Sequence, residues 1–516
     1  MNPIELSLFS SRMDAVCEEM GAQLQRAAFS PNIRDRLDFS CAVFDPDGEL
    51  CAQAAHIPVH LGSMAFAMRE IVKGVDWHPG DMVALNDPFL GGTHLPDVTL
   101  IAPVYSGNQL AGFVTNRAHH ADIGAASPGS MPISRSLDEE GQIIPPRHIV
   151  RGDQVDAPAL ARITANTLNP RDAEGDFNAQ ISANRRGIAR LTPMIESLDA
   201  DQYKLALTEL NNYGERLARA ALDDVPQGRY EFTDYMDDDG LGNRNVPIRA
   251  VITVAADGVA VDFSGTAPQV SGNINCPLPV TAAAVFYVFR CLMPAHAPAC
   301  AGSFRPIRLS APKACLLNAQ RPAAVAAGNV ETSTRIVDVV LGALAKAIPK
   351  RIPAASHGSM NNLAMGESGE DSWGYYETLG GGMGAGSKFP GISAVQTHMT
   401  NTRNTPIEVL EMRYPIRVRR YAIRRGSGGM GLHAGGDGLV REYEFLRPIR
   451  FTLLTERRAR PPWGLAGGKA GQAAVNRLSD QVLPPKVERE VRPGDRLTIE
   501  TAGGGGWGEQ DRGNDP

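Results

Sequence analysis

Three histidines and three carboxylates fall within residues 86–122, NDPFLGGTHLPDVTLIAPVYSGNQLAGFVTNRAHHAD: Asp87, His94, Asp97, His119, His120 and Asp122. Two imidazoles and a carboxylate brought to one point suit a borderline divalent cation such as zinc, manganese or iron(II). The blander reading is a polar strand end whose histidines bond to backbone, which is the usual fate of single histidines. What favours convergence is the sequence between them. Val, Ile, Thr and Tyr mark residues 97–105 as a strand and 110–116 as a second, and Ser106-Gly107-Asn108-Gln109 between them favours a tight reversal. Folding about Gly107-Asn108 sets Asp97 opposite Ala118, or opposite His119 if the turn is one residue longer. Side chains alternate along a strand, so register decides whether His119 or His120 shares a face with Asp97, and the sequence leaves both open.

The elements that must hold this hairpin lie on either side of it. Phe9, Met13, Val16, Met20, Leu24 and Ala27 recur at helical spacing, which predicts an amphipathic helix over residues 3–28. FSCAVF and ELCAQAA flank the turn Asp45-Pro46-Asp47-Gly48 as a first hairpin. Helical periodicity resumes at about Ser63 and ends near Gly74, while His56 and His60, in the apolar approach HIPVHLG, read as structural. DMVALND is a buried strand that runs into the central hairpin. After Asp122, the passage IGAASPGSMPISRSLDEEGQIIPPRHIV is too punctuated for a long helix and reads as an ordered loop or lid.

Helical patterns run from RDAEGDFNAQISANRRGIARL through YKLALTELNNYGERLARAAL, and strands occupy residues 228–265. The DDDG run there is a hairpin turn, since it lacks the alternating ligands and terminal glutamate of an EF-hand. TAAAVFYVFRCLM and ETSTRIVDVVLGALAKAI are helices, and beyond about Tyr375 the chain is Gly-rich and strand-rich. Interleaved helices and tight hairpins predict a large multi-unit α+β fold, divided at 1–195, 196–372 and 373–516.

A length of 516 residues allows a sizeable core, and 43% hydrophobic with 21% charged residues describes an ordinary globular protein. The net charge of -6 gives no electrostatic reason to expect nucleic acid or an anionic membrane. The run RVRRYAIRR (417–425) is a local exception that suits an exposed strand face or a subunit contact. Seven cysteines without a C-x-x-C pair point to a reducing compartment, with Cys17, Cys291 and Cys315 in apolar runs where core residues belong. No secretory leader and no run of about 18 apolar residues is seen, so the expected location is cytoplasmic.

Several motifs fail on inspection. Gly426-x-Gly428-x-x-Gly431 has a dinucleotide fingerprint's letters, but LHAGGDG cannot open the helix that would meet a pyrophosphate. GGGMGAG (380–386) and AGGGGWG (502–508) lack the Lys-Ser/Thr of a phosphate loop, so their glycines serve turns or close backbone approach. If ATP is used, another chain binds it. Glu331, Arg335 and Asn401-Thr402-Arg403-Asn404 remain as pocket candidates, Arg403 for its planar fork that suits a carboxylate or phosphate.

NDPFLGGTHLPDVTLIAPV, NRAHHADIG, SGNINCP, AAVAAGNVETSTRIVD, YETLGGGMGAG, THMTNTRNTPIEVLE, GSGGMGLHAGGDG and AGGGGWG, in this order, resemble the hydantoinase B/oxoprolinase family. They also resemble the metal-carrying subunit of acetone carboxylase. Ala125 stands where a second glycine is expected after Gly124, a departure that bears on local loop conformation. The resemblance implies a hydantoinase A-type partner subunit that carries ATP, and a hetero-oligomer. It implies a divalent metal held by His94, Asp97 and His119, with His120 and Asp122 orienting a ligand or water. The implied activity is ATP-dependent opening of a cyclic amide such as a hydantoin, lactam or oxoproline. Phosphorylation would activate the substrate, the metal would polarise an oxygen or supply hydroxide, and Asp87 or Asp122 would relay the proton. ATP-dependent carboxylation of a ketone by bicarbonate, or a scaffold without activity, are the alternatives.

Overall fold

The hairpin at the centre of the sequence is also the centre of a seven-stranded antiparallel sheet. In the computed structural model the sheet comprises β1 (Phe39–Phe44), β2 (Leu50–Ala55), β3 (Met82–Leu85), β4 (Asp97–Ser106), β5 (Gln109–His119), β6 (Arg147–Arg151) and β7 (Gln154–Val155). Their spatial order is β2-β1-β5-β4-β3-β6-β7, so β4 and β5 are both interior strands. The structure describes residues 1–510 except 56, 368, 370 and 371, and leaves aside the side chains of Ala55 and Leu61. His56 and the terminal Gly-Asn-Asp-Pro therefore lie outside the described residues.

Register settles the first ambiguity. Ser106 pairs with Gln109, so the turn is the two-residue Gly107-Asn108, and Tyr105 pairs with Leu110. Val104 then pairs with Gly112, which leaves Ala111 as an extra residue on β5. This bulge, not a longer turn, sets Asp97 opposite His119. The side chains record the flip: Leu110 and Phe113 pack on one face of the sheet and Ala111 and Val114 on the other.

Each face has its own helices. Cys41, Val43, Val98, Leu100, Val114 and Ala118 pack with residues of the helices Pro3–Ala27 and Pro170–Leu198. Ala42, Phe44, Leu85, Ile101 and Phe113 pack with the helices Pro58–Lys73 and Leu278–Leu292. The helix expected from about Ser63 thus begins five residues earlier. Pro58 occupies its first turn, where the missing N–H costs nothing and the fixed φ suits helix entry. Cys17 and Cys315 are buried as expected, but Cys291 is exposed on the outer side of its helix.

Three further sheets complete the mixed fold. The strands Gly228–Asp238 and Arg244–Ala255 form the expected hairpin, its turn fixed by Asp239, whose carboxylate accepts from the backbone N–H groups of Leu241 and Asn243. The second sheet also contains Gly258–Asp262 paired in parallel with Ile307–Ser310. The arginine-rich run forms the edge strand Ile416–Arg424, with Arg419 paired to Glu444 and Arg424 to Glu500 at 3.3 Å. Charged side chains on an edge discourage unwanted strand addition.

The glycine motifs near the C-terminus meet one another. Gly382 N donates to Ala502 O at 3.0 Å, Gly436 N to Met383 O at 2.9 Å, and Gly504 N to Gly436 O at 2.9 Å. A Cβ on Gly382 would lie 2.0 Å from the Gly436 oxygen, and one on Gly504 2.1 Å from the Met383 oxygen. Backbone approach at this range admits only glycine. One apolar cluster draws residues from Ala42 to Leu454, crossing positions 195 and 372, and another gathers Leu363 to Ile499. No helix among the described residues is long and apolar enough to cross a membrane.

Candidate metal centre

His94, Asp97 and His119 converge in the interior. His94 and Asp97 are fully buried, and His119 is 2% exposed. Asp97 opens β4 and His119 closes β5 directly across from it, while the Thr93–Pro96 turn brings His94 back over Asp97. His119 Nδ1 lies 3.0 Å from Asp97 Oδ1, His94 Nε2 lies 3.2 Å from the same oxygen, and the two ring nitrogens are 3.2 Å apart. Donors about 2.0–2.2 Å from one ion in tetrahedral or octahedral array stand about 3–3.5 Å from each other. The three separations fall in that range, and the donor set is the borderline one expected.

Each candidate ligand is oriented from behind. His94 Nδ1 faces the Ala326 carbonyl at 3.3 Å, which places its proton there and leaves Nε2 free to coordinate. Asp97 Oδ2 accepts from the Thr93 hydroxyl, from Asn329 Nδ2 at 3.3 Å and from His60 Nε2 at 3.3 Å, so Oδ1 alone turns to the two histidines. The Tyr376 ring stacks on His119 with centroids 4.9 Å apart. The other ring nitrogen of His119, Nε2, is buried and has no partner among the described residues.

Charge within the cluster follows from burial and pairing. Burial works against ionisation of Asp97, but the His94 and His60 rings and the His119 hydrogen bond outweigh it and hold its pKa well below the usual carboxylate range. Burial also favours a neutral His94, yet the Asp97 carboxylate raises its pKa overall. His119 is shifted down, chiefly by burial. Behind the cluster Arg117 bridges Thr99 Oγ1 at 2.8 Å, Ser63 Oγ at 2.6 Å and the Gly91 carbonyl at 2.9 Å. Burial lowers its pKa to about 10.

The other expected site residues lie elsewhere. His120 is one residue on from His119 and points through the opposite face, where Nε2 meets Gln180 Oε1 at 2.9 Å and the ring packs on Phe177. Asp122 accepts from Ser130 Oγ at 2.7 Å and from the backbone of Gly124 and Leu168, which makes it a loop clamp. Both line a cavity of 140 Å³ with Asp172, Asp176, Trp373 and Tyr414. Asp87 caps the short turn Pro88–Leu90 and pairs with Arg321. Strand alternation removes His120 from the cluster, and the hydrogen-bond partners of Asp87 and Asp122 hold both carboxylates away from it. None of the three touches the triad.

His60, read from its apolar surroundings in the sequence as structural, reaches the cluster: its Nε2 lies 3.3 Å from Asp97 Oδ2. The helix start at Pro58 makes His60 and Ser63 neighbours on the face over Asp97 and Arg117. His60→Ala is expected to weaken divalent-metal affinity by ~10–100-fold, the usual cost of losing a group that orients a ligand, in a chelator-competition titration. Unchanged affinity would remove His60 from the site. Of the remaining candidates, Glu331 accepts from Met360 N and Asn362 Nδ2, and Arg335 pairs with Asp234 and Glu456 in a buried ionic network.

The sequence profile described as hydantoinase B/oxoprolinase matches residues 2–510. The chain belongs to this family. Among its relatives, "5-oxoprolinase 1" of Arabidopsis thaliana is 40% identical over 98% of the chain, and the chain spans 42% of that protein's length. A putative B-type chain of a D-/L-hydantoinase from Pseudomonas sp. (strain NS671) is 32% identical over 98% of the chain and 90% of its own length. The crystal structure of an ATP-dependent caprolactamase from Pseudomonas jessenii superposes with a TM-score of 0.92 at 26% identity, covering 99% of this chain and 91% of that one. An acetone carboxylase chain shares the fold, with a TM-score of 0.89 at 16% identity over 98% of this chain and 76% of its own. This hydantoinase B family member is thus a mixed α+β chain with caprolactamase-like architecture.

Proposed function

We propose that this hydantoinase B family chain is one half of an ATP-dependent cyclic amidohydrolase, acting on a hydantoin, lactam or 5-oxoproline ring with a hydantoinase A-type partner that binds ATP. Its own contribution is the buried centre at His94, Asp97 and His119, which would hold zinc, manganese or iron(II). The observation that carries the reading is this centre's geometry in a chain whose relatives are named 5-oxoprolinase and D-/L-hydantoinase. The Pseudomonas relative is named as one subunit of its enzyme, and the chain spans 42% of the Arabidopsis protein; both support a second functional unit beyond this chain.

A divalent ion bound there supplies Lewis acidity towards a substrate oxygen. The residues do the rest. Asp97 Oδ1, His94 Nε2 and His119 Nδ1 would present three lone pairs to the ion from buried positions. Thr93, Asn329 and His60 hold Asp97 in one rotamer, and the Ala326 carbonyl fixes the His94 tautomer. With Nδ1 given to the ion, the His119 proton would sit on Nε2, which has no acceptor among the described residues. Tyr376 covers the His119 ring and donates its hydroxyl to Asn362 Oδ1 at 2.7 Å, which ties the centre to Glu331 through Asn362 Nδ2.

Reconstitution with an A-type partner tests the reading. ATP hydrolysis is expected to depend on 5-oxoproline, hydantoin or caprolactam and to yield the ring-opened acid. His94→Ala should lower turnover on the order of a thousandfold, since a metal's charge stabilisation amounts to several kcal/mol. Bicarbonate-dependent consumption of acetone with no lactam turnover would replace hydrolysis by carboxylation. Full activity of the His94→Ala complex would leave the chain a scaffold.

A further inference from the structure

The cavity of 140 Å³ beside His120 lies against the helix Pro170–Leu198, which contributes Asp172 and Asp176 to its wall. Positions 172, 176 and 180 are four apart and so share one face of that helix. Asp176 is 1% exposed. Its Oδ1 accepts from the backbone N–H groups of Phe29 at 2.8 Å and Ser30 at 3.0 Å, while its Oδ2 accepts no hydrogen bond among the described residues. The half-buried Asp172 accepts none with either oxygen, and only its backbone N–H is engaged, by Asn169.

His120 adds a third acceptor. Gln180 Nε2 donates to the Val98 carbonyl and to Asn116 Oδ1, each at 2.9 Å, so its Oε1 faces the imidazole and the His120 proton sits on Nε2. Nδ1 is left as a lone pair on a residue 1% exposed, with no partner among the described residues. Asp122 brings a further carboxylate to the lining. No lysine or arginine lines the cavity, and none pairs with Asp122, Asp172 or Asp176 among the described residues. Like charges at i and i+4 repel, and here nothing in the wall offsets them.

The lining also selects the kind of cation. Among the described residues only His94, Asp97 and His119 gather at metal-ligand spacing, so these acceptors do not meet at one point. The volume approaches the roughly 150 Å³ of an engineered cavity that takes benzene, which leaves room for several heavy atoms. Trp373 and Tyr414, with ring centroids 4.8 Å apart, complete the lining, and aromatic faces attract organic cations. We propose that this cavity binds the ammonium group of a small alkylamine, which donates to Asp176 Oδ2 and His120 Nδ1 and sets its alkyl part against Trp373 and Tyr414. Ammonium binding here requires neither a metal at His94, Asp97 and His119 nor amide hydrolysis.

The full chain is titrated calorimetrically in amine-free buffer with n-propylammonium, with 1-propanol as a neutral counterpart, with tetramethylammonium as a cation without N–H, and with potassium. Saturable binding of n-propylammonium is expected, at least about tenfold tighter than tetramethylammonium and absent for 1-propanol. Asp176→Asn keeps the Oδ1 acceptor for Phe29 and Ser30 but turns N–H₂ towards the ligand, and should weaken binding at least about tenfold. Asp172→Asn, with no side-chain hydrogen bond to lose, should weaken it less and in the same direction. Divalent-metal affinity at His94, Asp97 and His119 should be unchanged in both variants, as a check on folding. No saturable binding of n-propylammonium overturns the proposal, as does equal affinity in both variants. Binding of 1-propanol with the same affinity would make the cavity an apolar one, and binding of potassium alone an inorganic-cation site; either result also overturns it.

Discussion

Purified without chelator, the wild-type chain is expected to carry about one equivalent of zinc, manganese or iron, and Asp97→Asn is expected to lose it. Asparagine keeps the shape of the side chain and removes only its charge. It also cannot satisfy the site: Thr93, Asn329 and His60 all donate to Oδ2, so an amide N–H₂ there would meet three donors. Flipping the amide would turn N–H₂ towards the metal. Affinity should therefore fall by more than the ~10–100-fold typical of an orienting group. Metal-free stability should fall as well. Asp97 has a depressed pKa in the fold, so its contribution is present above the unfolded carboxylate value and disappears as pH falls through the folded one. Plasma mass spectrometry reads the metal content. A full equivalent of tightly held metal in Asp97→Asn would refute the assignment. His119→Ala and His120→Ala separate the two neighbours: the first should lose metal and the second, bonded to Gln180 on the far face, should keep it.

The convergence of His94, Asp97 and His119 was legible because hairpin chemistry is local. Gly107-Asn108 fixes the turn, β-branched residues fix the strands, and together they return position 119 to the neighbourhood of 97. The choice between His119 and His120 was not legible, because it depends on a bulge at Ala111 that no residue preference announces. A β-bulge inserts one residue and inverts every side chain beyond it, so one unmarked position decided which histidine faces Asp97. His60 was hidden by a boundary: taking the helix from Ser63 left it in a loop, whereas Pro58 at the helix start carried the signal for its true face. Asn329 and Ala326 come from more than 200 positions away and reach the cluster through tertiary packing alone, which no local pattern encodes. The glycine-rich C-terminal motifs were correctly read as close backbone approach, since their failure to fit a phosphate loop left packing as the remaining reason for so many glycines. Which motif touches which is a property of the fold.

Glu140 offers a pH-dependent test of how the centre is supported. It is fully buried, and its Oε1 accepts from Ser134 Oγ at 2.7 Å and from the backbone N–H groups of Val325 and Ala326 at 2.9 Å each. Ala326 also carries the carbonyl that orients His94, so Glu140 clasps the segment behind the site. Burial raises its pKa from 4.5 to about 7, against the pull of these hydrogen bonds and of His94. An acid that holds its proton more tightly when folded adds stability that is complete below the unfolded value and is lost as pH rises to the folded one. In metal-free protein this one group should therefore cost roughly 3 kcal/mol between about pH 4.5 and about pH 7. Glu140→Gln mimics the protonated acid and keeps the Oε1 acceptor. Its stability should match the wild type near about pH 4.5 and exceed it by roughly 3 kcal/mol near about pH 8, as read by urea denaturation. Glu140→Ala strands three donors and should be the least stable at both values, since each unsatisfied group costs about 1–3 kcal/mol. A Glu140→Gln difference that stays constant with pH would show that Glu140 is ionised throughout. In that case the clasp is made by a charge, and Glu140→Gln should instead loosen the turn that holds His94.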